Sequence, residues 1–71
     1  MNIVEYIRLC CVKRNTSLRQ TAIKSGISAQ NLSNKMAKNS FYLRDICAIA
    51  ESLGADMQIK FLDKKTGEPI I

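Results

Sequence analysis

The stretch SLRQTAIKSGISAQNLSNKMAK, residues 17–38, holds two short helical patterns that meet at a Gly-containing turn. Ser17 is placed to cap the first, because its hydroxyl can accept from the N–H groups that a helix leaves without partners at its start. Leu18, Ala22 and Ile23 then fall at helical spacing. Gly26 ends that helix, since a residue without Cβ enters the left-handed conformation of a C′ cap at no steric cost. Ile27 is an apolar plug, and Ser28 caps a second helix whose buried positions are Leu32 and Met36. Ala22 is small where the two helices must cross closely. The spacing predicts a helix-turn-helix over 17–38.

Before it, residues 2–14 predict helix 1. Asn2 is a cap, and Ile3, Val4, Ile7, Cys10 and Cys11 recur at three- and four-residue intervals. After it, residues 39–42 form a polar-aromatic turn, with Phe41 as a core plug between the third and fourth helices. Helix 4 is expected from about Leu43 to Leu53, with Leu43, Ile46, Cys47, Ile49, Ala50 and Leu53 as a broad apolar stripe and Gly54 as its stop. The period then changes. Met57 to Phe61 alternates apolar and polar, Leu62 extends the apolar run, residues 63–67 form a turn, and residues 68–71 can return as a second short strand. A lone hairpin is marginal in water. This one, over about 56–71 and carrying Met57, Ile59, Phe61 and Leu62, is expected to pair with a second copy along its open edge. The alternative is packing on helices 1 and 4.

Seventy-one residues make one small domain, which buries only ~60–65% of its unfolded surface. With 46% hydrophobic and 24% charged residues the composition is globular. No apolar run approaches the roughly 18 residues of a membrane span, and the first residues lack the layout of a signal peptide, so a cytoplasmic protein is expected. The net charge is +5, and its placement matters more than its size. Between Glu5 and Asp45 there is no acid, while Arg8, Lys13, Arg14, Arg19, Lys24, Lys35, Lys38 and Arg44 all lie there. Such a field attracts a polyanion, and it coincides with the helix-turn-helix, whose second helix enters the DNA major groove.

With Leu32 and Met36 inward, the opposite stripe of that helix carries Ala29, Gln30, Ser33, Asn34 and Ala37. Gln30 and Asn34 can each donate and accept at once, which matches the adenine edge. Ala29 is small enough to meet a thymine methyl, and Ser33 suits either base. The candidates for phosphate are Thr16, Ser17, Arg19, Ser28, Lys35, Lys38, Asn39, Ser40, Tyr42 and Arg44, because helix starts and cations around the groove attract anions.

At these residues the chain resembles the lambda-repressor-like, or Cro/Xre-type, helix-turn-helix family. The resemblance covers most of residues 2–54: the Ser17-Leu18-Arg19-Gln20 opening, Ala22, the Gly26-Ile27-Ser28 turn, Leu32-Ser33, and the run from Ile49 to Gly54. It implies a mainly α, compact four-helix domain, dimeric, that regulates transcription at palindromic operators. It also implies base contacts from Ala29, Gln30, Ser33 and Asn34, and phosphate contacts at Ser17, Ser28 and around Asn39. The tail is similar to small members that end in a β-strand or hairpin used for dimerisation. The chain departs from the family at Thr21 and Ser25, where apolar residues are common, at Lys35, where a buried aliphatic is frequent, and at Leu18, where glutamine often faces a phosphate.

Three cysteines, an odd number, cannot close a disulfide framework, and no His is present to complete a common zinc site. Cys10, Cys11 and Cys47 are read as core residues, with a thiol sensor as the competing role. Without a His base, a Gly-rich phosphate loop or clustered carboxylates, no enzyme, metal or cofactor is expected. Two readings of function remain. One is a homodimeric, sequence-specific double-stranded DNA-binding regulator, a repressor, of a prokaryote or mobile element. The other is a protein-interaction module, antitoxin-like or an assembly adaptor, that keeps the helix-turn-helix for shape.

Overall fold

The computed structural model describes residues 2–71. It is mainly helical, with α1 over Ile3–Lys13, α2 over Leu18–Ser25, α3 over Ala29–Lys38 and α4 over Leu43–Ser52. Local chemistry sets each start. The side chains of Asn2, Ser17 and Ser28 accept the N–H of the third helical residue: Glu5 at 2.9 Å, Gln20 at 3.1 Å and Asn31 at 3.1 Å. At α4 the Asp45 carboxylate reaches back to the Tyr42 N–H at 2.9 Å.

All four helices stop in the same way. Asn15, Gly26, Asn39 and Gly54 each take a positive φ. The next residue then donates to a carbonyl five positions back: Thr16 to Cys11, Ile27 to Ala22, Ser40 to Lys35 and Ala55 to Ala50. These are Schellman closures, which satisfy carbonyls that a helix end would otherwise leave bare.

The short α2 is central and packs against each of the other three helices. Around it the core joins Ile7 and Cys11 of α1, Ala22 of α2, Leu32 and Met36 of α3 and Ile49 of α4. Ile27 and Phe41 plug its rim, half-buried, as their positions beside the turns predict. Ala22 is fully enclosed, so a methyl is all that the crossing admits.

Four polar residues at or beside this core, Thr21, Ser25, Lys35 and Asp45, are each satisfied. Thr21, 1% exposed, gives its hydroxyl proton to the Ser17 carbonyl at 2.9 Å. Its oxygen lies 3.5 Å from the Cys11 sulfur, which is therefore the donor between the two. Ser25 donates to the Ala22 carbonyl at 3.2 Å. Lys35 pairs with Asp45, Nζ to Oδ2 at 2.9 Å.

Two helix positions differ from expectation. Ile23 is 64% exposed, because the inner face of α2 passes through Thr21 and Ala22 instead. Leu43 is 59% exposed and borders a surface cleft rather than the core. The tail differs more. Residues 55–61 run without regular structure, and the expected hairpin is reduced to one antiparallel bridge, Leu62 with Pro69, flanked by Asp63 N–H to Glu68 O and Ile70 N–H to Phe61 O. The turn lies where the sequence places it: the Asp63 carboxylate accepts from the Lys65 and Thr66 N–H groups. Pro69 has no N–H to extend a ladder.

The arm leaves the helical body and stretches the molecule to 40 × 24 × 19 Å. The radius of gyration is 13.5 Å, against about 11 Å for a rounded chain of this length. Among the described residues no helix is long and apolar enough to cross a membrane.

Candidate nucleic-acid interface

The helix α3 turns Leu32 and Met36 into the core and leaves Ala29, Gln30, Asn31, Ser33, Asn34, Ala37 and Lys38 in water. At about 100° per residue, Gln30 and Asn34 occupy its outer crest. A cleft borders each flank. One, of about 500 Å³, lies between α1, α2 and α3 and is lined by Arg8, Leu18, Arg19, Ala29, Leu32, Ser33, Met36 and Ala37. The other, of about 330 Å³, is lined by Asn31, Asn34, Lys35, Lys38, Ser40 and Tyr42. No carboxylate lines either cleft among the described residues.

The four base candidates thus share one exposed helix but divide across it. Ala29 and Ser33 slope toward Arg19, while Asn34 slopes toward Lys38. The phosphate candidates divide likewise. Thr16, Ser17, Arg19 and Ser28 lie at or just before the starts of α2 and α3, while Lys38 ends α3, Asn39, Ser40 and Tyr42 follow it and Arg44 lies in the first turn of α4. The Ser17 and Ser28 oxygens already accept backbone N–H groups, which leaves both hydroxyl protons free to point outward.

Lys35 is placed differently from the rest. Its ammonium is held by Asp45 and lies 5.0 Å from the Tyr42 ring centre, with the Arg44 guanidinium also 5.0 Å from that centre. It therefore orients the turn after α3 rather than standing as a free cation. Asp45 in turn is held below the usual carboxylate range, first by its hydrogen bond from Lys35 and then by the Tyr42 N–H, against the opposing effect of burial. Asp45 thus stays ionised and is neutralised by Lys35.

Two side chains at this surface were not among the sequence candidates. Asn31 lines the second cleft, and Arg8 reaches the first from α1. Asn31 was legible in principle, being next to the outer crest on the same helical wheel. Arg8 was not, because nothing local to α1 says which helix its polar side will face.

The expected dimer residues spread over two depressions that meet at Ile59. Met57 and Ile59 border a cleft of about 390 Å³ with Ile3, Tyr6, Ile46 and Leu53 of α1 and α4. Phe61 shares a shallow depression on the arm with Ile59, Ile70 and Ile71, so Ile59 borders both, and Leu62 is exposed. Of the cysteines, Cys11 is buried and Cys10 and Cys47 are half-buried, all as free thiols. In comparisons with known proteins, no family model, curated protein or solved structure matches this chain.

Proposed function

We propose that the protein is a sequence-specific double-stranded DNA-binding regulator, a repressor of the lambda-repressor-like kind, acting as a homodimer on a palindromic operator. The observation that carries this reading is α3 itself: an exposed crest of Gln30 and Asn34, with an acid-free cleft on each side that holds arginines or lysines. Amide side chains on an outward helix face suit base edges, and flanking cations suit the two backbones beside a groove. The arm supplies the second copy. It carries Phe61 at 75% exposure beside Leu62, Ile70 and Ile71, an apolar surface that a partner would cover. Paired through their arms, two copies would set their α3 helices about one helical turn apart, ~34 Å.

The test is selection from a randomised duplex pool, followed by salt titration of what is selected. A palindrome whose affinity falls steeply with salt is the expected result. Salt-sensitive binding without sequence preference would leave a non-specific binder.

A second reading has one observation in its favour. The apolar cleft between α1, α4 and residues 55–59 could seat a protein partner, which suits an antitoxin-like or adaptor role. Absence of DNA binding at low salt would turn the assignment to it.

A further inference from the structure

The helix α1 carries a second apolar face that the fold leaves bare. Ile7 and Cys11 are buried in the core, while Tyr6, Leu9 and Val12 on the far side are each at least half exposed. At about 100° per residue, Leu9 stands opposite the core-facing side. Glu5 and Lys13 then lie about 40° to either side of it, and Tyr6 and Val12 about 60° to either side. Both charged residues are exposed, and neither has an ion-pair partner among the described residues. Arg8, the third charge of α1, lies about 100° round from Leu9 and borders the cleft toward α3 instead. This face is therefore separate from the α3 surface.

The order of residues along this face is its own complement when reversed. Turned end for end about Leu9, α1 sets Glu5 level with Lys13 and Tyr6 level with Val12. An isologous contact requires such a pattern, because a two-fold axis makes residue i meet j wherever j meets i. We propose that the outer face of α1 pairs antiparallel with the same face of a second copy: Leu9 against Leu9 at the axis, Tyr6 against Val12, and Glu5 across from Lys13 at both ends. The charges fix the direction, since a parallel pair would set Glu5 against Glu5 and Lys13 against Lys13. A foreign partner would need no such symmetry in this helix. With five residues a side, against the roughly 20–30 of a stable interface, the contact is weak and reversible. It is distinct from the arm pairing proposed above, and a chain with two isologous contacts can assemble beyond a dimer.

The experiment is sedimentation equilibrium at low salt on the full chain carrying Phe61→Asp, which removes the arm's contribution. Concentrations run up to about 1 mM, the range that a contact of this size needs. This parent chain should self-associate there, and Leu9→Asp should abolish the association. Glu5→Lys and Lys13→Glu each put like charges at both ends of the pair, so either alone should weaken it roughly tenfold. Mixed in equal amounts, these two variants should associate with each other as tightly as the parent does with itself. The double charge swap in one chain should likewise restore self-association. A misfolded helix cannot produce that rescue. The proposal is overturned if the parent stays monomeric over the whole range, if the single charge variants associate as the parent does, or if their mixture is no tighter than either alone.

Discussion

Thr21 shows how a single hydroxyl can make a polar residue fit a core. Its proton goes to the Ser17 carbonyl and its oxygen receives the Cys11 thiol, which ties α1 to α2 inside the domain. Thr21→Val keeps the shape, takes the acceptor from the Cys11 thiol and leaves the Ser17 carbonyl with only the backbone N–H of residue 21, so it should cost about 1 kcal/mol. In a domain this small that is a fall of about 4–8 °C in Tm, read by thermal melting; an unchanged Tm would show the hydroxyl to be idle. Asp45 gives a second expectation. Folding lowers its pKa, so its contribution is complete above the ordinary carboxylate range and drains away as pH falls through the folded value. Wild type and Asp45→Asn should differ most in Tm at neutral pH and converge as pH drops below about 4. A gap that stays constant down to pH 2 would remove the charge from the account. On DNA, Gln30→Ala should relax base preference at one position, whereas Lys38→Ala should weaken all sequences alike; competition with cognate and scrambled duplexes separates the two. At this scale the sequence was legible where a side chain acts on its own helix, as at Ser17 and Ser28. It was not legible where the partner lies far along the chain, as with Lys35 and Asp45 or Arg8 and α3.

Helix ends were the most readable elements and also where the clearest gap lay. Gly26 and Gly54 announced their stops. Asn15 and Asn39 make the same left-handed closure, and their neighbourhood looked like ordinary connecting turn. Asparagine tolerates that conformation because its short amide can bond locally, so the signal was present but weaker. Gly26 sits at φ 77° with nothing within 4 Å of where a Cβ would be, so substitution there meets backbone strain alone. Gly26→Ala should cost about 1–2 kcal/mol by denaturant titration, and Gly26→Asn distinctly less. Equal losses for the two would mean that space, not conformation, governs the turn. The α2 stripe was harder to read. Leu18, Ala22 and Ile23 fit a helical period, yet the buried pair is Thr21 and Ala22, because three neighbours press on a helix of eight residues. Periodicity of apolar letters cannot register a threonine that enters the core with its hydroxyl satisfied.

For the whole molecule, the four helices and their order follow from caps and spacing, while the arm does not. Alternation from Met57 to Phe61 implied a strand, but a strand needs a neighbour to bond with. Among the described residues the chain offers only the Leu62–Pro69 bridge. If a second copy provides that neighbour, Phe61→Asp should give monomers in sedimentation without lowering the helical signal. A dimer that survives it would move the contact elsewhere, for which the cleft at Tyr6 and Met57 is the nearest apolar surface.

The arm's exposure has a consequence for how such a chain can change over generations. Phe61, Leu62, Ile70 and Ile71 contribute little to holding the helices together, so substitutions there are hidden from selection on folding. They are visible only through whatever the arm touches. The helical body has no such licence, since α2 is at once inner wall and outer support. The molecule therefore divides into a larger conservative part and a small exchangeable one. A new partner could be acquired by rewriting about a dozen residues, with the α3 surface left as it was.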